Sequence, residues 1–216
     1  MNVIIFGPPG AGKGTQSDFI VKKFKLFKLS TGDLLRDEIK KKTSLGLKIE
    51  SIVNLGSLVS DDIINSLIEN IVSNRDYNKK IIFDGYPRNL PQAENLNKLL
   101  IKHDQKIDIV IRLKVNLNII IKRITGRVIC SRCGKTYNEH FNPPKDNETC
   151  CKKEFLLKRD DDNTDVAIKR FETYEKSTEP VLAFYNKMNL VKDVNGELDI
   201  NSISSKIEDY LSVIEG

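Results

Sequence analysis

At 216 residues, with 39% hydrophobic and 30% charged side chains, the chain has the composition of a folded globular protein rather than a disordered one. No apolar run approaches the roughly 20 residues that cross a bilayer. Strand-like sequence begins at Val3, so no signal peptide is expected and the expected compartment is the cytoplasm. The net charge of +5 points to an anionic ligand, nucleotide or nucleic acid, although clusters such as Lys40-Lys41-Lys42 read as solvated helix faces.

Val3-Ile4-Ile5-Phe6 reads as a buried strand that ends in Gly7-Pro8-Pro9-Gly10-Ala11-Gly12-Lys13-Gly14-Thr15. A helix is expected from Thr15 to Phe24, with Phe19, Ile20 and Phe24 on one face. A strand, a G-x-x-x-x-G-K loop and a helix in this order make a phosphate-cradling P-loop. Its glycines let successive N–H groups turn inward, and the helix N-terminus adds partial positive charge. Lys13 then reaches the β- and γ-phosphates as a mobile point charge. The strict pattern places Ser or Thr directly after the lysine; here Gly14 intervenes before Thr15.

Next come a short extended piece over 27–29 and a polar group, Ser30-Thr31-Gly32-Asp33, suited to cap a helix over 34–39. Helical patterning returns over 47–53 and 61–72. Residues 80–83 read as a second buried strand running into Asp84-Gly85-Tyr86-Pro87-Arg88. A helix over 91–101, a strand over 107–113 and a helix over 117–125 follow. Residues 164–188 are again helical, with Pro180 marking a break or a new first turn, before a last strand over 190–194 and a last helix over 201–214. Such alternation predicts an α/β fold with a parallel sheet covered on both faces. Residues 126–162, polar and containing Cys, Pro and Gly, break the alternation and read as a small inserted domain.

Asp84 stands at the carboxyl tip of a buried strand, where ligands bind in open α/β sheets. It suits a nucleotide-bound Mg²⁺, held directly or through water; the plainer alternative is a strand-end turn residue. Arg36, Arg88, Arg123, Arg127, Arg159 and Arg170 lie at the edges of expected elements. Their planar forks fit phosphate oxygens, which suggests a site clamping two phosphorylated substrates. All four cysteines fall in one segment, a grouping that favours metal over disulfide. Cys130-x-x-Cys133 beside Gly134 is half of a zinc knuckle; the other half is irregular, because Cys151 follows Cys150 at once and position 153 is Lys.

Four ordered blocks carry a family resemblance: the Gly7 to Thr15 loop, Leu29-Ser30-Thr31-Gly32-Asp33-Leu34-Leu35-Arg36, Asp84-Gly85-Tyr86-Pro87-Arg88, and Arg159-Asp160-Asp161-Asp162-Asn163. On these the chain resembles adenylate kinases of the long-lid bacterial type, from the first strand to the last helix. The Gly14-Thr15 variation is itself similar to that family's loop. The resemblance implies a P-loop NTPase fold with a five-stranded parallel sheet. Its core would comprise 1–29, 60–125 and 163–216, with a flap for the nucleoside monophosphate over 30–59 and a lid over 126–162.

The roles follow by the same resemblance. Gly10, Ala11, Gly12, Lys13, Gly14 and Thr15 would cradle ATP, with Arg123 and Arg127 gripping it from the start of the lid and Thr136, Tyr137 and Leu198 beside the nucleotide. Thr31, Arg36, Ser57, Leu58, Val59, Gly85, Tyr86, Pro87, Arg88 and Gln92 would form the AMP pocket, Gln92 reading the adenine edge. Arg159 and Arg170 would bridge the phosphates, Asp84 would order Mg²⁺ through water, and Tyr86–Pro87 would be a cis peptide. The implied reaction moves the γ-phosphoryl group of MgATP to AMP, giving two ADP. The partners are then ATP, AMP and ADP, with no nucleic acid or membrane, and the protein is expected as a monomer. A kinase for UMP or CMP, or one with GTP as donor, is the neighbouring alternative. A zinc-ribbon nucleic-acid module is the distant one, and it leaves Lys13, Asp84 and the arginines without a task.

Zinc-bearing relatives offer a second C-x-x-C or C-x-x-D, and against that pattern the segment from Cys150 to Arg159 is one residue short. Structural Zn²⁺ on Cys130, Cys133 and Cys150, with Cys151 or a local rearrangement supplying the fourth ligand, stands beside a metal-free lid of reduced thiols. His140 reads as an exposed lid residue.

Overall fold

The computed structural model describes residues 1–55, 59–145 and 150–215. The first half of the chain forms β1 (Val3–Phe6), α1 (Lys13–Phe24), β2 (Phe27–Ser30), α2 (Thr31–Lys40), α3 (Ser44–Asn54), α4 (Asp61–Val72), β3 (Ile81–Asp84) and α5 (Leu90–Lys102). Then come β4 (Ile109–Lys114), α6 (Leu117–Thr125), β5 (Arg127–Cys130), β6 (Thr136–Asn138), β7 (Leu156–Leu157), α7 (Thr164–Thr173), α8 (Glu179–Asn186), β8 (Val191–Asn195) and α9 (Ile200–Glu215).

Five strands pair in parallel in the order β2-β3-β1-β4-β8. Alternation along each strand sorts its side chains between two cores. Ile4 and Phe6 join Leu29, Phe83 and Val110 under Ile68 of α4, Leu96 of α5 and Leu182 of α8. Val3 and Ile5 face the other way, with Ile82 and Ile111, against Ile20 of α1 and Ile207 of α9. Cover on both faces is why the central strands β1 and β3, and β4 over 109–111, read as apolar runs, whereas the edge strands β2 and β8 carry lysine and aspartate.

The chain leaves β1 toward β2 and leaves the adjacent β3 toward β4, so the connections diverge at the carboxyl ends of β1 and β3. A crevice opens at such a point. Register sets its contents level: Asp84 pairs with Ile5 on one side and Ser30 on the other.

Element ends differ from the pattern reading where local chemistry decides them. α1 begins at Lys13 because Gly12 turns left-handed (φ 95°) before it. α2 begins at Thr31, with the Ser30 hydroxyl accepting the Asp33 N–H at 3.3 Å. Ile107 is buried in the core ahead of the ladder, which made it resemble strand; pairing starts at Ile109, opposite Val3. Between α7 and α8 the helix widens into a π turn over Tyr174–Thr178, and Pro180 sits in the first turn of α8. The proline, with no N–H to give, enters where that donor is not required.

Residues 126–162 hold a separate antiparallel sheet, β6-β5-β7, whose own small core is Val128, Cys130, Tyr137 and Cys151 with Phe155 and Leu156.

Candidate active site

The loop after β1 is built by glycine. Gly10 has φ 81°, and a Cβ there would lie 2.9 Å from Ile124 Cγ1 and 3.2 Å from the Ile120 carbonyl, so α6 forbids any side chain. Gly12 caps α1 without a side-chain hydrogen bond among the described residues, leaving first-turn N–H groups for an anion. Lys13 Nζ donates to the carbonyls of Gly7 (2.7 Å) and Pro8 (3.0 Å). Burial lowers its pKa to about 8; Asp84 opposes the shift, while Arg88, Arg127 and Arg170 reinforce it. Thr15 is exposed.

Asp84 ends β3, nearly buried, and accepts a hydrogen bond at 3.2 Å from the hydroxyl of Ser17, which is fully buried. Sequence reasoning passed over Ser17. The available signal was its place one helical turn after Lys13. Gln16 beside it donates to the Ile200 carbonyl and accepts from Ser204, fixing α1 against α9.

Across the crevice, the Gly85 carbonyl accepts from Thr31 Oγ1 (2.8 Å) and from Arg88 Nε (2.7 Å). Gly85 is left-handed (φ 79°), and a Cβ would lie 3.0 Å from Thr31 Oγ1 and 3.1 Å from an Arg88 terminal nitrogen. Tyr86–Pro87 is cis. Tyr86 is buried, its hydroxyl donating to Asn65 Oδ1 (2.8 Å), and burial raises its pKa to about 12. Arg88 has its pKa lowered by burial and by the neighbouring Arg170 and Arg36, with Asp84 opposing. Arg36 pairs with Asp33, and Val59 is buried in the larger core. Gln92 is buried, bonded to the Arg88 N–H and to Asp61. Ser57 and Leu58 lie outside the described residues.

The remaining arginines converge from the far side. Arg127 forms a two-pronged pair with the fully buried carboxylate of Asp162. Arg170 bonds to Asp161 and to the Val53 carbonyl (3.3 Å). Arg123 donates to the Gly196 carbonyl at 2.8 Å, two residues before the half-exposed Leu198, and lies over the Phe141 ring. Arg159 Nε is buried with no hydrogen-bond partner among the described residues. Burial, then Arg127 and Arg36, lowers the Arg159 pKa to about 10, against Asp162 and Asp161. Burial also disfavours the Asp161 carboxylate, but Arg170 outweighs it and the pKa falls. Thr136 is exposed, whereas the Tyr137 ring lies inside the small core of residues 126–162, with Lys135 Nζ 4.8 Å from its centre.

The Sγ atoms of Cys130, Cys133, Cys150 and Cys151 lie within 4.8 Å of one another. Tetrahedral bonds of about 2.3 Å to zinc place sulfurs about 3.8 Å apart, so the set fits. Cys151 joins the other three directly, and Cys133 and Cys151 are 3.4 Å apart. Gly134, left-handed at φ 73°, returns its N–H to the Cys130 carbonyl (2.9 Å), making the knuckle turn. Burial opposes ionisation of Cys130, but the N–H groups of Cys133 and Arg132 prevail and bring its pKa to about 7. For Cys151 a Tyr137 hydrogen bond lowers the pKa, yet burial and its thiol neighbours raise it to about 12. His140 is exposed and outside the group.

The family model described as adenylate kinase matches residues 5–190. The chain is 49% identical over 213 residues to the adenylate kinase of Pelagibacter ubique, spanning 99% of this chain and 100% of that one. Similarity to the adenylate kinase of Methanocella arvoryzae is 43% over 211 residues, covering 96% and 97% of the two chains. For that of Bacillus cytotoxicus it is 40% over 210 residues, again 96% and 97%.

Proposed function

The chain belongs to the adenylate kinase family and transfers the γ-phosphoryl group of ATP to AMP; on that premise we propose how its residues divide the work. The loop from Gly10 to Thr15 holds the ATP phosphates, with Lys13 on the β- and γ-oxygens and Arg123 and Arg127 on the lid side. Thr31, Arg36, Val59, Gly85 to Arg88 and Gln92 receive AMP, and Ser57 and Leu58 belong to the same stretch. Arg159 and Arg170 sit between the phosphate chains. Asp84, turned by Ser17, holds through water the Mg²⁺ that accompanies ATP and neutralises phosphate charge.

The observation that carries this reading is Arg159. A buried guanidinium nitrogen without a partner among the described residues, its pKa lowered by burial and then by Arg127 and Arg36, is arranged for an anion with several oxygens. Asp161 and Asp162 hold Arg170 and Arg127 by carboxylate pairs that phosphate oxygens can replace. The AMP phosphate oxygen then attacks in line, and Lys13 and the arginines stabilise charge spreading over the transferred group. Residues 30–59 and 126–162 act as flaps that exclude water from this step. Every group comes from one chain, so the reaction needs no second copy. No helix among the described residues is long and apolar enough to cross a membrane, and we place the protein in the cytoplasm.

ADP formation measured with AMP, CMP, UMP and GMP tests the acceptor. AMP is expected to lead by about 100-fold or more in kcat/KM, since a hydrogen-bonding site rejects a mismatched edge strongly. Equal turnover of CMP overturns the assignment.

The cysteine cluster is read as a structural zinc site, because residues 126–162 have little core of their own. Purified protein is expected to carry about one zinc per chain, and its removal by a chelator to lower the melting temperature; less than about 0.2 zinc per chain sinks the site.

A further inference from the structure

We propose that Asp61 is a positioning residue for acceptor choice: it fixes which way round the Gln92 amide faces the AMP pocket. The inference rests on the reading above that Gln92 meets the base.

A glutamine amide can turn end for end with almost no change in shape, exchanging a donor for an acceptor. In this structure two contacts hold one orientation. Gln92 Oε1 accepts the Arg88 N–H at 2.7 Å, and Gln92 Nε2 donates to Asp61 Oδ1 at 2.6 Å. A carboxylate only accepts, so the NH₂ end must face Asp61; turning the amide opposes oxygen to oxygen there and NH₂ to N–H at Arg88. The Asp61 contact is the charge-assisted and stronger of the two.

Asp61 is held in turn. Asn89 Nδ2 donates to both of its oxygens, at 3.1 and 3.2 Å, while Asn89 Oδ1 accepts the Gln92 N–H at 2.8 Å as the cap of α5. One carboxylate therefore ties the start of α4 to the first turn of α5. An acid opening a helix is favourable on dipole grounds alone, but that accounts neither for the short bond to Gln92 nor for the asparagine that donates to both carboxylate oxygens.

Base chemistry makes the orientation matter. Adenine presents an amino donor beside a ring-nitrogen acceptor. Hypoxanthine presents, at the same two places, a carbonyl acceptor beside an N–H donor. An amide fixed one way round matches the first and mismatches the second; turned, it does the reverse. In the native protein, turning opposes both the Asp61 and the Arg88 contacts. With Asp61→Asn it opposes only the Arg88 contact, because an asparagine amide can offer either end.

The test measures kcat and KM for AMP and for inosine monophosphate, KM for ATP, and melting temperature, in the native protein, Asp61→Asn, Asp61→Ala and Gln92→Leu. Asp61→Asn is expected to raise KM for AMP about 10-fold with kcat within about 2-fold, and to cut the preference for AMP over inosine monophosphate by about 10-fold. KM for ATP stays unchanged. A purely structural role would weaken both acceptors alike and leave their ratio alone. Should Gln92→Leu lose the preference while folded Asp61→Asn and Asp61→Ala keep it, the Asp61 inference fails and the base reading stands. A native protein without the preference, or a Gln92→Leu variant that retains it, overturns the base reading and this inference with it.

Discussion

Replacing Lys13 by methionine is expected to lower kcat/KM by about 10³-fold or more while the protein stays folded. Methionine keeps an unbranched stem and removes the ammonium that, on the proposed assignment, meets the β- and γ-oxygens. The effect on stability runs the other way. The Lys13 pKa, lowered from 10.5 to about 8, means that the folded protein disfavours the ammonium. That penalty, on the order of a few kcal/mol, is complete below about pH 8 and vanishes as pH rises toward the unfolded value. At pH 7 the methionine variant escapes it, losing only bonds to the Gly7 and Pro8 carbonyls. Its melting temperature should equal or exceed that of the native chain. Activity within about tenfold of native contradicts the phosphate-cradle role, and a large drop in melting temperature contradicts the stability argument.

The second large effect concerns water. On the proposed assignment, ATP held by Lys13 and the arginines is activated toward any nucleophile that reaches it, and water is present at far higher concentration than AMP. Arginines on opposite sides of the crevice offer a resolution. Arg88 and Arg36 stand on the proposed acceptor side, and Arg127, Arg159 and Arg170 arrive from the segment that follows α6. Burial first and then neighbouring arginines lower the pKa values of Arg88 and Arg159, and both effects oppose gathering these cations with too little anion between them. Two phosphorylated ligands supply that anion; ATP alone supplies part of it. The fully assembled cage therefore depends on AMP, and hydrolysis without AMP should run at least about 10³-fold slower than transfer with it.

Much of this was legible in the sequence, because several signals were local. Gly10, Gly12 and Lys13 announce a phosphate loop by spacing alone, and Asp84 followed by Gly85 marks the end of a ligand-bearing strand. Apolar runs placed the three central strands, β1, β3 and β4, to within a few residues, while the edge strands β2 and β8 were read from short mixed pieces. What escaped depends on contacts between distant segments. Ser17 looked like an ordinary helix residue until register brought Asp84 beside it. Asp61 looked like a helix-opening acid, and its bond to Gln92 spans 31 positions. Tyr137 has its ring in the small core with Cys130 and Cys151, a placement set by the β5–β6 pairing rather than by any local pattern. The irregular Cys150-Cys151 pair left the fourth ligand open between Cys151 and a local rearrangement; in three dimensions both thiols reach the cluster.

The central claim is that the cleft moves one phosphoryl group between two bound nucleotides and keeps it from water. The most direct measurement follows the γ-phosphoryl group of labelled MgATP in parallel reactions with and without AMP. With AMP, the label should appear in the β-position of newly made ADP, two ADP forming for each AMP consumed, with inorganic phosphate at background. Without AMP, phosphate release should stay at least about 10³-fold below the transfer rate. Phosphate released at a comparable rate, unaffected by AMP, would contradict the account.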